Sequence, residues 1–68
     1  MCLAIAKPAE KTVDKTSMQH AYTTNNDGCG FAIRIKKQVL LEKGLWTFEE
    51  FWARFAPYMR YEALVHFR

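Results

Sequence analysis

The shortness of the chain, 68 residues, constrains its fold more than any motif does. A chain of this size buries only about 60% of the surface that its unfolded form exposes, and its core contributes roughly 3–5 kcal/mol net. Half of the residues are nevertheless hydrophobic and 15% are aromatic, a content that disordered chains lack. We therefore expect a single folded domain spanning residues 1–68, with little capacity for a deep catalytic cleft.

The charge balance is mildly basic. Ten Lys and Arg residues against seven Asp and Glu residues give a net charge of +3, which favours acidic partners without naming them. No apolar run approaches the 18 residues that suggest a membrane span, and Lys7 and Pro8 interrupt the first apolar run, unlike a signal peptide. The sequence predicts a cytoplasmic protein with no membrane partner.

Cysteine and histidine are scarce and widely spaced. Cys2, Cys29, His20 and His66 supply the residue types of a zinc site, but the close spacing that zinc ligands show is missing. We expect no metal site and no cofactor. In a reducing cytoplasm both cysteines are expected to remain small, buried thiols.

A β-hairpin is predicted in the middle of the chain. Residues 25–30 (Asn-Asn-Asp-Gly-Cys-Gly) form the densest turn signal, and residues 31–36 then alternate between apolar and outward-facing positions. The residues expected to face the core are Phe31, Ile33 and Ile35. A tight reversal at residues 37–38 leads into a second strand at residues 39–42, so the hairpin has a basic tip.

A helix is predicted to begin at Thr47. Thr47 can cap the backbone N–H of Glu50 while Glu50 reaches back to that of Thr47, and Trp46 and Phe51 occupy the positions of a hydrophobic staple. An apolar stripe follows at spacings of three and four, and Pro57 ends or kinks the helix. The residues of this stripe are Phe48, Phe51, Trp52 and Phe55.

The ends of the chain complete the layout. Residues 2–6 are predicted to form a strand buried on both faces, residues 15–22 a weak helix, and residues 63–67 a final strand. The economical arrangement is an α+β domain: a small, mostly antiparallel sheet of about four strands with one main helix packed on it and a second short helix.

Four separated segments resemble, in order, one family. They are residues 1–5 (Met-Cys-Leu-Ala-Ile), 26–32 (Asn-Asp-Gly-Cys-Gly-Phe-Ala), 48–51 (Phe-Glu-Glu-Phe) and 64–68 (Leu-Val-His-Phe-Arg). Together they resemble the opening of class II glutamine amidotransferase-like proteins, N-terminal-nucleophile hydrolases that include compact phage versions. The resemblance covers nearly all of this chain and the early part of the family domain.

The resemblance implies roles for particular residues. Cys2 would be the nucleophile after methionine removal, with its freed α-amine as base, and Arg68 would hold the substrate carboxylate, while Asp27 and Gly28 would lie near the substrate pocket. The family continues beyond this last strand into an Asn-Thr-His-Pro-like segment that helps to build the oxyanion site, whereas this sequence stops at Arg68 and retains Met1. We therefore expect Cys2 and Arg68 to be vestiges in a catalytically inactive domain.

The leading hypothesis is thus a protein-binding domain. As a whole chain it looks like the small phage transcription regulators that bind host RNA polymerase, inhibit initiation and promote antitermination, which implies the host cytoplasm. The expected partner-binding residues are basic residues of the hairpin and aromatic residues near element ends: Arg34, Lys36, Lys37, Trp46, Tyr58 and Tyr61. Two alternatives remain open, an amidotransferase-like hydrolase using Cys2 and a nucleic-acid-binding domain using the basic hairpin.

Overall fold

The structure, a computed structural model, describes residues 2–68. Its elements follow in the order β1 (Leu3–Lys7), α1 (Lys15–Thr24), β2 (Cys29–Ile35), β3 (Gln38–Leu45), α2 (Phe48–Phe55), a 3₁₀ turn (Ala56–Tyr58) and β4 (Glu62–Phe67). The predicted α+β fold class with a four-stranded antiparallel sheet is confirmed. At 10 residues, α1 is longer than predicted and also longer than the 8-residue α2.

The sheet has the strand order β1-β4-β2-β3, and every neighbouring pair is antiparallel. The first and last strands of the chain therefore pair with each other, and the β2–β3 hairpin lies beside them. The prediction that the first strand is buried on both faces is wrong. Because β1 is an edge strand with one covered face, Ala4 and Ala6 are exposed while Leu3 and Ile5 pack against the core.

Side chains alternate along the hairpin as predicted. Phe31 and Ile33 are buried on the face that meets the helices, whereas Arg34 is exposed on the opposite face. The turn is shifted by one residue, since it consists of Lys36 and Lys37, with Lys36 at a φ of 57°. The sheet thus has an inner face toward the helices and an outer face.

Helix α2 supplies most of the aromatic core above the inner face. Phe51 has no exposed surface, and its ring centroid lies 5.1 Å from that of Phe67, 5.3 Å from that of Phe55 and 5.9 Å from that of Phe31. Helix α1 joins the same layer, because the Tyr22 ring contacts Phe67 edge-on at 6.0 Å. Both helices therefore pack on one side of the sheet.

The start of α2 differs in detail from the predicted capping box. Thr47 Oγ1 accepts a hydrogen bond from Glu50 N at 3.1 Å, as expected, but Glu50 Oε1 accepts from Trp46 N at 3.1 Å and not from Thr47 N. The predicted staple between Trp46 and Phe51 is also wrong, because the Trp46 side chain turns outward and is 69% exposed. Because α2 packs on the sheet, Phe51 is buried in the core while Trp46 stays exposed.

Within residues 2–68, no helix combines the length and the apolar character that a membrane crossing requires.

Candidate functional site

The outer face of the sheet carries the side chains that point away from both helices. Register places residues from all four strands on it: Ala4, Ala6, Gly30, Ala32, Arg34, Val39, Leu41, Lys43, Glu62, Leu64 and His66. In the part of the chain that the structure describes, no helix or loop covers this face.

The middle of the outer face is apolar. One row runs across all four strands through Ala6, Leu64, Ala32 and Leu41, which are direct partners in register. Leu64 is 52% exposed, Leu41 62% and Val39 68%. Single exposed apolar side chains are common on protein surfaces, but a contiguous group of large ones marks an interaction site.

A shallow trough of about 340 Å³ runs along β2 on this face. Its floor is low because Gly30 and Ala32 carry little or no side chain, and Leu64 and Leu41 on the flanking strands form its walls. Gly30 cannot carry a larger side chain without a shift, since a Cβ there would lie 2.7 Å from the carbonyl oxygen of Glu42.

Charged and aromatic residues close one end of the trough. Trp46 stands against Gly28, where an added Cβ would lie 3.5 Å from the indole ring, and Tyr22 Oη donates a hydrogen bond to Trp46 O at 2.7 Å. Asp27 N donates to Arg68 O at 2.7 Å and Arg68 N donates to Gly28 O at 2.9 Å. Backbone pairing thus fixes the turn and the last residue together at this end.

The opposite end of the outer face carries an ion pair. Arg34 Nη1 lies 3.7 Å from Glu62 Oε1, and both side chains are more than half exposed. A second depression of about 260 Å³ lies here, between Val39 and Leu64. Such an exposed pair contributes about 0–1 kcal/mol and serves mainly as a polar rim.

The six residues predicted to bind a partner are divided between the two ends of the sheet. Arg34 borders the outer face, and Lys36 and Lys37 form the exposed hairpin tip beside it. Tyr58 and Tyr61 lie between α2 and β4, half-buried against the core with ring centroids 6.3 Å apart. Trp46 lies alone at the other end, with the turn of Gly28.

The large apolar residues between the two ends were missed from sequence. Val39 and Leu41 stand two apart, so they must share one face of their strand. Their register with Arg34 and Ala32, whose outward direction was predicted, would have assigned them to the outer face. Leu64 follows by the same rule, because it pairs with Ala32.

The residues implied by the family resemblance meet at the Trp46 end. Leu3 pairs with Phe67, so Cys2 comes next to Arg68, which is bonded to the Asp27–Gly28 turn. Cys2 is an exposed free thiol, contrary to the expectation that it is buried. Backbone pairing therefore brings three of the four resembling segments to one end of the sheet, and the fourth, residues 48–51, packs on them through the contacts of Phe51 with Phe31 and Phe67.

Cys29 is the buried thiol, and its environment makes it unreactive. Its Sγ donates a hydrogen bond to Leu45 O at 3.4 Å. Burial first, and the negative charge of Glu50 second, raise the pKa of Cys29 to about 11. A thiol with so high a pKa is protonated at neutral pH and is a poor nucleophile.

Neither histidine is placed for metal binding. Among residues 2–68, no group of three or more His, Cys, Asp or Glu side chains comes close enough to hold a metal ion. His66 lies on the outer face beside the trough, and His20 is exposed on α1.

Comparisons of the chain with models of protein families, with curated protein sequences and with solved structures found no match. The resemblance to amidotransferase-like proteins therefore rests on the four sequence segments alone.

Proposed function

We propose that this chain is a catalytically inactive protein-binding domain whose partner docks on the outer face of the sheet. The observation that carries the proposal is the contiguous exposure of Val39, Leu41 and Leu64 around the trough. Covering these side chains would remove apolar surface from water, which contributes roughly 25 cal/mol per Å² before the costs of association.

The rim of the outer face suggests the chemistry of the partner. Lys43 and Arg68 border the trough at one end together with Asp27. Arg34 and Glu62 form an ion pair at the other end, beyond which Lys36 and Lys37 extend, so basic side chains are in the majority on the rim. A partner with an apolar centre and acidic residues around it complements this surface, because rim charges set orientation and association rate.

We propose host RNA polymerase as that partner, bound so that initiation is inhibited and antitermination promoted. The support is the resemblance of the whole chain to small phage regulators and its basic charge balance of ten Lys and Arg residues against seven Asp and Glu residues. The domain would then act in the cytoplasm of the host cell.

The test is affinity capture from bacterial lysate, followed by binding to purified polymerase and by transcription assays on promoter and terminator templates. Leu64→Glu places a charge in the middle of the apolar patch and should weaken binding at least about tenfold, or 1.4 kcal/mol. Gln19→Glu adds the same charge on exposed α1 and should leave binding unchanged. Recovery of no polymerase subunit would rule out this partner, and equal binding by both variants would rule out this face.

The second candidate is an amidotransferase-like hydrolase with Cys2 as nucleophile. The specific observation in its favour is that Arg68 is bonded to the Asp27–Gly28 turn beside the trough. Continuing the Leu3–Phe67 register by one residue brings Cys2 next to Arg68. After removal of Met1, the α-amine of Cys2 would take the thiol proton, and the thiolate would attack the amide carbon of glutamine. Ammonia would leave, and water would then hydrolyse the thioester to glutamate.

Mass spectrometry separates the two candidates. A free N-terminal Cys2 that is labelled by an electrophilic glutamine analogue, with weaker labelling in Arg68→Lys, supports the hydrolase. Labelling of Cys2 by iodoacetamide serves as the control, because a general reaction of this exposed thiol would not depend on Arg68. Retention of Met1 in the purified protein contradicts the hydrolase.

Nucleic-acid binding through Arg34, Lys36 and Lys37 stays a prediction. Arg34 is already paired with Glu62, which leaves two exposed lysines at the tip. If this hypothesis holds, affinity for nucleic acid falls steeply with salt, because counterions are released on binding.

A further inference from the structure

Strand β3 forms one open edge of the sheet, and its outward-pointing backbone groups can be identified. Arg68 N donates to Gly28 O, so even-numbered residues of β4 and β2 exchange hydrogen bonds with each other. In an antiparallel ladder these groups point alternately to the two sides of a strand. The odd-numbered residues of β2 therefore bond to β3.

The same alternation then assigns the groups of β3. Leu40 is the partner of Ile33 and Gln38 that of Ile35, so their backbone groups point to β2. The N–H and C=O groups of Val39 and Leu41 consequently point to the open edge. No other strand pairs with this edge in residues 2–68.

The first half of this edge lacks the features that normally prevent strand pairing. Native edges are often protected by proline, by a central charge or by short length. Strand β3 has 8 residues, and its bulge lies at the far end, opposite the Cys29–Phe31 segment. The first half of β3, residues 38–41 (Gln-Val-Leu-Leu), carries neither charge nor proline, whereas Glu42, Lys43 and the bulge lie in the second half.

We propose that two copies of this chain pair through β3, antiparallel, about a two-fold axis at Leu40. In this register Val39 lies opposite Leu41 of the second copy, and Leu41 opposite Val39 of the second copy. Each pair exchanges both of its N–H···O bonds. The product is one continuous sheet built from both four-stranded sheets.

The side chains match this register on both faces. Val39 and Leu41 form apolar cross-strand pairs on the outer face, and Leu40 meets its own copy on the inner face. Such apolar cross-strand pairs are a general source of stabilisation between neighbouring strands. Gln38 comes opposite Glu42, so no like charges meet within residues 38–42.

Charges at the ends of the paired segment make the association dependent on salt. Lys37 of one copy approaches Lys43 of the other at each end, and each chain carries a net charge of +3. Screening of this repulsion should strengthen the dimer as salt is added. Interfaces that are driven by opposite charges respond in the opposite direction.

The test measures mass by sedimentation equilibrium over a concentration series, with amide hydrogen exchange of Val39 and Leu41 on the same samples. We expect the mass to rise from the 8.0 kDa of one chain toward twice that value, with protection of these two amides rising in parallel. Leu41→Pro removes an edge-facing N–H and leaves the β2 ladder intact, since proline is tolerated at such positions. It should abolish the dimer.

Further variants separate loss of the backbone hydrogen bond from loss of the side chain and from misfolding. Leu41→Ala retains the N–H and should weaken the dimer less than Leu41→Pro. Val39→Lys, at an exposed position, should also disrupt it, so the outcome does not depend on folding of the proline variant. A single chain at every concentration would overturn the proposal, as would a dimer that persists in Leu41→Pro or leaves both amides unprotected. The two proposals share Val39 and Leu41, but sedimentation of the purified chain needs no partner, so the dimer can fail while the outer face still binds its partner, and the reverse.

Discussion

Gly30 lies directly against the backbone of Glu42. A Cβ on Gly30 would stand 2.7 Å from Glu42 O and 3.0 Å from Lys43 Cα, at the point where the β2–β3 register shifts. Because these are backbone atoms of a paired strand, they cannot rotate aside as a side chain would. This contact brings β3 close to β2 and keeps the floor of the trough low.

We predict that Gly30→Ala destabilises the domain by roughly 1–3 kcal/mol, the cost of overpacking. The measurement is urea unfolding followed by circular dichroism. Ala32→Ser on the same strand and face adds an oxygen beyond an existing Cβ and should change stability by less than about 0.5 kcal/mol. If Gly30→Ala is as stable as Ala32→Ser, then β2 and β3 can move apart at Gly30 without a loss of stability.

Truncation of Phe51 should unfold the domain. Phe51 is fully buried and contacts the rings of Phe31, Phe55 and Phe67. Phe51→Ala costs about 3–5 kcal/mol, which equals the roughly 3–5 kcal/mol that a core of this size contributes. We expect no cooperative thermal transition in Phe51→Ala, whereas exposed Trp46→Ala should melt within a few degrees of wild type.

The cap of α2 should contribute measurably to stability. Thr47→Ala removes the acceptor for Glu50 N and should lower the free energy of unfolding by about 1 kcal/mol. Thr47→Ser keeps the hydroxyl and should restore most of the loss. A Thr47→Ala variant as stable as wild type would mean that water or another group caps the helix equally well.

Cys29 should make the domain less stable at alkaline pH. Its pKa is raised from 9.0 to about 11 in the folded state, so between these values the unfolded chain loses a proton that the folded chain keeps. The contribution of Cys29 to the free energy of unfolding is therefore complete below pH 9 and declines as the pH rises toward 11. Urea unfolding at a series of pH values should show this decline.

Cys29→Ala is the control for that pH dependence. It should flatten most of the decline but not all of it, because burial also raises the pKa of Tyr22, helped by the negative charges of Cys29 and Glu49. An unchanged pH profile in Cys29→Ala would assign the whole effect to Tyr22.

Local patterns predicted those elements whose signals lie within a few residues. The alternation of Phe31, Ile33 and Arg34 placed β2 to within two residues at either end, and Thr47 with Glu50 marked the start of α2. Both inferences hold because strand alternation and helix capping depend on neighbouring residues alone. Hence the α+β class could be read from the chain before any contact between its ends was known.

Pairing between distant strands determined everything that concerns the site. The approach of β4 between β1 and β2 makes β1 an edge, places exposed Leu64 across Ala32 from Leu41 and brings Cys2 next to Arg68. None of these neighbours is close in sequence, and no local propensity specifies which strand of a sheet lies at its edge. The alternation of Val39 and Leu41 determined that they share a face, but that this face lacks a helix follows from how α1 and α2 pack together on the other side.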